Sequence, residues 1–332
     1  MTTALPLAPV PRPLLGLLGL VGTDADTFRA EPGPPTAMPV MFGGQIIAQS
    51  LAAASRTVTP GREPHSLHGY FLYPGDPAAP ITYRVERVRD GHAFTSRRVT
   101  AVQDDGGEHA VFCLTVSFKR PTPRGGPEHQ TPMPGVPAPE ALADATELPP
   151  AYVHPAVIQR LRELRHAVDV RYVPGPRPAP ETAAGPPATR LWFRARGPVP
   201  VGASDLHSPH SCLVAYLSDL TLLDTASPYH RSGLPNDGRG TAVSLDHAMW
   251  FHRPLRVDEW LLYEQQSHTS TDGRGLVHAR IYTRDGTLAA TVAQEGLIRL
   301  RRSPATTTSR PGETQPQEID PYSWAVARPE TD

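Results

Sequence analysis

The chain has 332 residues, of which 32 are basic and 33 acidic, so its formal net charge is −1. This balance argues against nucleic acid or an anionic membrane surface as a partner, and no apolar run reaches the roughly 18 residues of a membrane-spanning helix. The two cysteines, Cys113 and Cys212, lie in apolar stretches. They predict neither a disulfide framework nor a zinc site, which favours a cytoplasmic location.

Proline-rich stretches divide the chain. The 40 prolines concentrate in residues 1–40, 120–187 and 303–321, and we interpret these stretches as linkers or irregular connections because proline donates no backbone hydrogen bond. The apolar run at 14–21 predicts an amphipathic helix, with a short signal-peptide core as the alternative. The tail at 303–332 is predicted to be largely disordered, because its first part, SPATTTSRPGETQPQE, has no large apolar residue whose burial could offset the entropy of ordering.

The first structured segment extends from about residue 40 to residue 119. It opens with an alanine-rich stretch, GGQIIAQSLAAASRTV, which predicts a helix. Four stretches with alternating apolar residues then predict strands: HSLHGYFLY, ITYRVERVRDG, AFTSRRVTAVQD and HAVFCLTVSFK. The motif Asp104-Asp105-Gly106-Gly107 predicts a hairpin turn between the last two strands.

The second segment, about residues 189–301, repeats this order. TRLWFRA predicts a strand and SPHSCLVAYLSDLTLLDTA a helix. Further strands are predicted at TAVSLDHAMWFH, EWLLYEQQSHTS, LVHARIYTRDG and LAATVAQEGLIRL. Local similarities between the segments, such as SLHGYF and SLDHAMWF, favour a duplication.

A helix with an antiparallel meander is an α+β unit, and a curved sheet wrapped on the helix would bury the apolar face of both. We therefore expect two tandem units, at 12–120 and 189–302, joined by a proline-rich connection at 121–188. Two unrelated α+β domains are the alternative.

Several motifs resemble those of the bacterial acyl-CoA thioesterase II family and occur in the same order. They are VMFGGQIIAQSL, HSLHGYFLYPGD, RVRDGHAFTSRRVTAVQ, SDLTLL, DHAMWFHRP, EWLLY and AQEGLIR. The resemblance covers about residues 12–301 and implies a double hotdog fold. It also implies hydrolysis of acyl-CoA to free acid and CoA, without a cofactor, a metal or a covalent intermediate. An acyl-carrier-protein thioester is an alternative substrate, and a homodimer or homotetramer is the expected assembly.

The resemblance implies a catalytic set of Asp219, Ser244 and Gln294, which together position a water for attack on the thioester. All three lie in the second unit, at 189–302. Asp219 matches the acid of SDL and Gln294 the amide of QEG. Ser244 stands where the bacterial members carry threonine, and serine supplies the same hydroxyl without the methyl group that restricts its rotation. Asp219 also stands out chemically, because an acid among apolar residues is costly unless it is paired or functional.

Three further residues are candidates for substrate binding. Gly43 and Gly44 precede the first predicted helix, where unpaired N–H groups could stabilise an oxyanion and glycine permits close approach. A tight turn into the helix is the alternative reading of this pair. Arg97 is a candidate for contact with the CoA phosphates, because a guanidinium suits phosphate.

Two other functions stay open. A hotdog hydratase or dehydratase would need a histidine facing the carboxylate across the substrate channel. His247, beside Asp246, could suggest a proton relay, although a structural histidine is the alternative. A non-catalytic acyl-CoA-binding protein is the second possibility, suggested by the serine at position 244. Motifs of serine hydrolases, zinc hydrolases and nucleotide-binding proteins are missing from the sequence.

Overall fold

The computed structural model describes residues 14–33, 38–104, 107–121, 126–148, 153, 155–174, 188–202, 208–226 and 240–300. In the first half, the helix and strands are α1 (Gly43–Ser55), β1 (Val21–Asp24), β2 (Thr27–Ala30), β3 (Glu63–Phe71), β4 (Ile81–Asp90), β5 (Phe94–Asp104) and β6 (Glu108–Lys119). In the second half they are α2 (Pro155–Leu164), β7 (Val168–Tyr172), β8 (Ala188–Ala195), α3 (Pro209–Ser218), β9 (Gly240–Ser244), β10 (Asp246–Phe251), β11 (Leu261–Thr271), β12 (Arg274–Thr283) and β13 (Leu288–Leu300).

These strands form one antiparallel sheet that passes from one half of the chain to the other. The two halves join where β3 pairs with β10, with Leu67 opposite Met249. Outward from this pair, the first half continues through β6, β5, β4, β2 and β1, and the second through β13, β12, β11, β8 and β7. The meander has the same order on both sides, as expected for a duplication. β9 lies off this path and pairs with β13.

The helices α1 and α3 pack against each other and are buried on nearly all sides, as expected of helices enclosed by a sheet. Gly44 permits their close approach, because a β-carbon there would collide with the Tyr216 carbonyl of α3 and with the Phe42 ring. One apolar core contains residues of both helices and of strands from both halves. The architecture is the predicted double hotdog.

The proline-rich connection is more structured than predicted, because it contains α2 and β7. Pro155 is the first residue of α2, where its missing N–H would be unpaired in any case. β7 pairs with β8 at the edge of the sheet, and Met133 packs against a small cluster that contains Trp192 and Trp260. Proline is excluded from sheet interiors, but it is compatible with helix starts and ordered loops.

Other predicted elements are shorter or interrupted. The helix predicted at 208–226 ends at Ser218 and is followed by a turn and a 3₁₀ helix, Leu223–Ala226. The strand predicted at TAVSLDHAMWFH is two strands, β9 and β10, separated at Leu245. At 14–21 the chain forms a 3₁₀ helix, Leu14–Leu18, and then enters β1.

The tail at 303–332 and the centre of the predicted turn, residues 105 and 106, lie outside the described residues. In the part of the chain that the structure describes, every helix is too short or too polar to cross a membrane.

Candidate active site

Asp219, Ser244 and Gln294 meet at one point, although they are far apart in the sequence. Gln294 Nε2 donates one hydrogen bond to Asp219 Oδ1 and a second to Ser244 Oγ, each 2.7 Å long. Both hydrogens of the amide are used in these bonds. The three side chains implied by the family resemblance therefore form one hydrogen-bonded group.

Each of the three residues is positioned by a different element. Asp219 is the C-cap residue of α3, and Ser244 is the last residue of β9, opposite Gly296 of β13. Gln294 lies two residues before Gly296, so both face the same side of β13. This side is buried. The end of α3 thus meets the inner face of the sheet where β9 and β13 pair.

A cavity of about 350 Å³ borders this group. Asp219 and Ser244 line the cavity, whereas Gln294 is fully buried behind them. Most of the wall is apolar and includes Met41, Ile46, Phe71, Val157, Leu220 and Ile298. A mostly apolar cavity with a few convergent polar groups is typical of a binding site for a small molecule.

The helix α2, which was not predicted from the sequence, closes one side of the cavity with Ala156 and Val157. Arg160 attaches α2 to the core, because its guanidinium lies 4.6 Å from the centre of the Phe42 ring and donates to Tyr216 Oη at 3.0 Å. The apolar spacing within PAVIQRLREL is the signal that could have revealed this helix.

The start of α1 faces Asp219 across the cavity. A β-carbon on Gly43 would lie 2.8 Å from Asp219 Oδ2 and 2.9 Å from the Phe71 ring, so only glycine leaves this space open. Phe42, the N-cap residue, makes no side-chain hydrogen bond to the first amides of the helix. Gly43 thus borders the site, whereas the side of Gly44 that would carry a side chain packs against α3.

The prediction that Arg97 contacts the CoA phosphates is wrong. Its side chain is 1% exposed. Its Nε donates to Thr57 Oγ1, its Nη1 to the carbonyls of Arg89 and Ser96, and its Nη2 to the Thr57 carbonyl and Asp90 Oδ1. All five donors are therefore used within the protein. Position 97 shares a strand face with Val99 and Ala101, which are apolar in the sequence and buried in the structure. This period of two could have indicated that Arg97 faces inward.

His247 is also fully buried, next to the candidate catalytic group. Its Nε2 lies 3.0 Å from Ser218 Oγ. Burial lowers the pKa of His247, and this effect is opposed by the charges of Asp219 and Asp246 and by hydrogen bonding with Gln294. The residues that line the cavity in the described part of the chain include no histidine.

Comparisons with known proteins agree with this architecture. Residues 31–119 match the model of the acyl-CoA thioesterase N-terminal domain, and residues 134–298 match that of the C-terminal domain. The acyl-coenzyme A thioesterase 8 of Mus musculus is 40% identical over 294 residues, which cover 86% of this chain and 88% of the relative.

Solved structures agree as well. The acyl-CoA thioesterase II TesB2 of Mycobacterium marinum is 38% identical, with a TM-score of 0.70 over 86% of this chain and 98% of that one. A hot dog fold protein of Alicyclobacillus acidocaldarius shares the fold at 19% identity, with a TM-score of 0.66 over 88% of this chain and 100% of that one. These matches confirm both the family resemblance and the predicted fold. The chain belongs to the acyl-CoA thioesterase family and carries the N-terminal and C-terminal domains of that family in one polypeptide.

Proposed function

We propose that this chain hydrolyses acyl-CoA to a free acid and CoA by direct attack of a water molecule that Asp219 activates. The observation that carries this proposal is the hydrogen-bonded group of Asp219, Ser244 and Gln294 at the wall of an apolar cavity. The relatives named above as acyl-CoA thioesterases support acyl-CoA as the substrate class.

Asp219 acts as the general base. Its Oδ1 accepts a hydrogen bond from Gln294, while Oδ2 faces Gly43 and the cavity. A water on Oδ2 transfers a proton to the carboxylate as its oxygen bonds to the thioester carbonyl carbon. When the resulting oxyanion collapses, the carbon–sulfur bond breaks and its electron pair goes to sulfur. The proton held by Asp219 then passes to the sulfur and restores the carboxylate.

Ser244 supplies a donor to the cavity. Because its oxygen accepts a hydrogen bond from Gln294, its own hydroxyl hydrogen can be donated to the water or to the carbonyl oxygen. The same hydrogen bond restricts rotation of the serine, and this restriction offsets the loss of the methyl group present in threonine. We therefore expect serine at this position to support turnover.

The amides at the start of α1 stabilise the oxyanion. The first N–H groups of a helix have no acceptor within it, and the positive end of the helix dipole favours an anion there. The amide of Gly43 is the stronger candidate, because Gly43 borders the cavity beside Asp219. Gly44 does not line the cavity, so its amide is the weaker candidate.

The alternatives have less support. No histidine lines the cavity among the described residues, so a hydratase would lack its usual acid or base there. A protein that only binds acyl-CoA would not need the ordered group around Gln294. Use of an acyl-carrier-protein thioester, a homodimeric or homotetrameric state and a cytoplasmic location stay predictions from the sequence.

The test is the release of free thiol from acyl-CoAs of increasing chain length, measured with a chromogenic disulfide. We expect the wild-type chain and the Asp104→Asn variant to turn over, since Asp104 is an exposed acid at the end of β5. The Asp219→Asn variant should lose activity by about two orders of magnitude or more while retaining its fold. Near-wild-type turnover of Asp219→Asn would remove this residue from the mechanism.

A further inference from the structure

His247 and Gln294 are neighbours on the buried face of two paired strands. In the pairing of β10 with β13, Met249 lies opposite Val292 and Ala248 opposite Ala293. The next residues along the two strands are His247 and Gln294, and both are 0% exposed. Side chains of adjacent strands that share a face lie within contact distance. Gln294 also raises the pKa of His247 against the larger effect of burial, which agrees with their proximity.

Each of these two side chains has one buried polar atom left over. The amide nitrogen of Gln294 uses both hydrogens on Asp219 and Ser244, which leaves Oε1. His247 uses Nε2 with Ser218, which leaves Nδ1. Among the described residues, neither Oε1 nor Nδ1 has a hydrogen-bond partner of ordinary geometry. Buried polar atoms are rarely left unpaired, because an unpaired one loses its water without replacement.

The single proton of Ser218 decides which nitrogen of His247 carries hydrogen. Ser218 Oγ lies 2.9 Å from the Ala215 carbonyl and 3.0 Å from His247 Nε2. If the hydroxyl donates to Ala215, a neutral His247 must be protonated at Nε2, and two buried acceptors, Nδ1 and Gln294 Oε1, remain unpaired. If the hydroxyl donates to Nε2, the imidazole carries its hydrogen on Nδ1 and can donate it to Oε1. Only the second arrangement pairs both atoms.

We propose that Ser218 holds His247 in the Nδ1–H form, and that His247 then donates to Gln294 Oε1 and fixes the orientation of the Gln294 amide. The inference rests on the function proposed above. Without this donor the amide could rotate by half a turn and bring its oxygen against Asp219. The carboxylate and Ser244 would then lose their shared donor. His247 is in this account a positioning residue that acts through Gln294.

Two substitutions of His247 distinguish the role of Nδ1 from that of Nε2. The side-chain nitrogen of asparagine can take the place of Nδ1, and that of glutamine the place of Nε2. We expect His247→Asn to retain kcat within a few fold, and His247→Gln to lower kcat by about tenfold or more with little change in KM, the order for loss of an orienting partner. The opposite ranking would overturn the proposal, because it would mean that only the contact with Ser218 matters.

A double-mutant cycle tests whether His247 acts through Gln294. In the Gln294→Ala background, His247→Gln should lower kcat little further. An equal loss in both backgrounds would overturn the proposal. The Asp219→Asn variant, assayed in parallel, reports separately on the proposed function. If that variant keeps its activity while the cycle shows coupling, the catalytic assignment is wrong and the His247–Gln294 pair stands.

The tautomer can also be measured without any functional variant. In protein labelled with ¹⁵N-histidine, the ring nitrogen shifts distinguish the two neutral forms, and the His247→Asn spectrum assigns the signal by its loss. We expect hydrogen on Nδ1. Hydrogen on Nε2 would overturn the proposal, even if His247→Gln prevented folding.

Discussion

Asp219 Oδ2 lies so close to Gly43 that a β-carbon on the glycine would be 2.8 Å from it. Gly43 begins the helix of the first half, and Asp219 ends the last α-helix of the second. The site is therefore assembled from both halves of the duplication, and neither half contains it alone.

Replacement of Gly43 by alanine should reduce turnover without unfolding the protein. The new methyl group would occupy the space between Asp219 and the Phe71 ring, where the proposed mechanism places the water and the carbonyl. Alanine favours the helix, so the unfolding midpoint should change little. We expect kcat to fall by about tenfold or more, since a displacement of about 1 Å can cost up to a hundredfold.

Gly22→Ala is the matched control for this substitution, because a β-carbon at Gly22 would meet no atom within 4 Å. Equal activity of the Gly43→Ala variant and this control would show that the space beside Asp219 is not used in the reaction.

The kcat of variants at position 244 should depend on whether the side chain has a hydroxyl and not on whether it has a methyl group. Ser244→Thr keeps the acceptor for Gln294 and the donor to the cavity, so its kcat should equal or exceed that of the wild type. Ser244→Ala loses both, and we expect a decrease of about 10²-fold, the scale of a lost oxyanion donor. Complete inactivation by threonine in the thiol-release assay would contradict the proposed role.

Gln294→Glu should inactivate the enzyme despite its nearly identical shape. The substitution places a second carboxylate 2.7 Å from Asp219 Oδ1 in a buried setting, and two such groups cannot both be ionised. We expect a loss of at least about 10²-fold in kcat at neutral pH, together with a lower unfolding midpoint. Glu295→Gln is the control, since Glu295 follows Gln294 on the opposite face of β13 and pairs with Arg274. Similar losses in the two variants would argue against a specific role of Gln294.

Arg97→Ala should destabilise the fold without impairing catalysis by the folded protein. The substitution removes a buried guanidinium and leaves the Thr57 carbonyl and hydroxyl without their donor. We expect a loss of about 2–4 kcal/mol in the free energy of unfolding, measured by denaturant titration. Arg98→Ala, on the exposed face of the same strand, should change it by less than about 0.5 kcal/mol. A raised KM for acyl-CoA with unchanged stability would restore the phosphate-binding role.

Stability should fall as the pH decreases from 7 towards 5. Burial lowers the pKa of His247 from its ordinary 6.5, although Asp219, Asp246 and Gln294 oppose the shift. The folded protein therefore keeps the imidazole neutral while the unfolded chain binds a proton below about pH 6.5. The stabilising contribution is complete above that pH and is lost as the pH falls towards the folded-state pKa.

Thermal unfolding at several pH values measures this effect, and a midpoint that rises on acidification would contradict it. His247→Asn should weaken the pH dependence of the unfolding midpoint without removing it. The remainder arises because burial also lowers the pKa values of His65, His210, His252 and His278.

The strands could be predicted because alternating burial leaves a period of two in the sequence, and β13 matches its predicted stretch from end to end. The end of α3 could not be predicted in this way. The leucines after Ser218 are buried in the core although they lie in a turn and a 3₁₀ helix. The composition therefore gave no sign that the α-helix ends and that Asp219 is its C-cap residue.

The candidate site was predicted mainly from family resemblance, and only Asp219 also stood out by its chemistry. Nothing local marks Gln294 as the residue that joins Asp219 to Ser244, because the contacts arise from the pairing of β9 with β13. The roles of Gly44 and Arg97 likewise depend on what faces them, the Tyr216 carbonyl in one case and the Thr57 backbone in the other. Such neighbours are fixed by the tertiary fold, and a linear pattern does not contain them.

The seam between β3 and β10 has a consequence for synthesis on the ribosome. Leu67 is synthesised long before its partner Met249. Until β10 is available, the backbone groups of β3 that pair with it have no partner strand, and β3 is an exposed sheet edge. Such an edge can pair with any exposed strand, including that of another nascent copy. The interval before the second half arrives is therefore the period in which this chain most needs protection from aggregation, and truncation after residue 120 would make that exposure permanent.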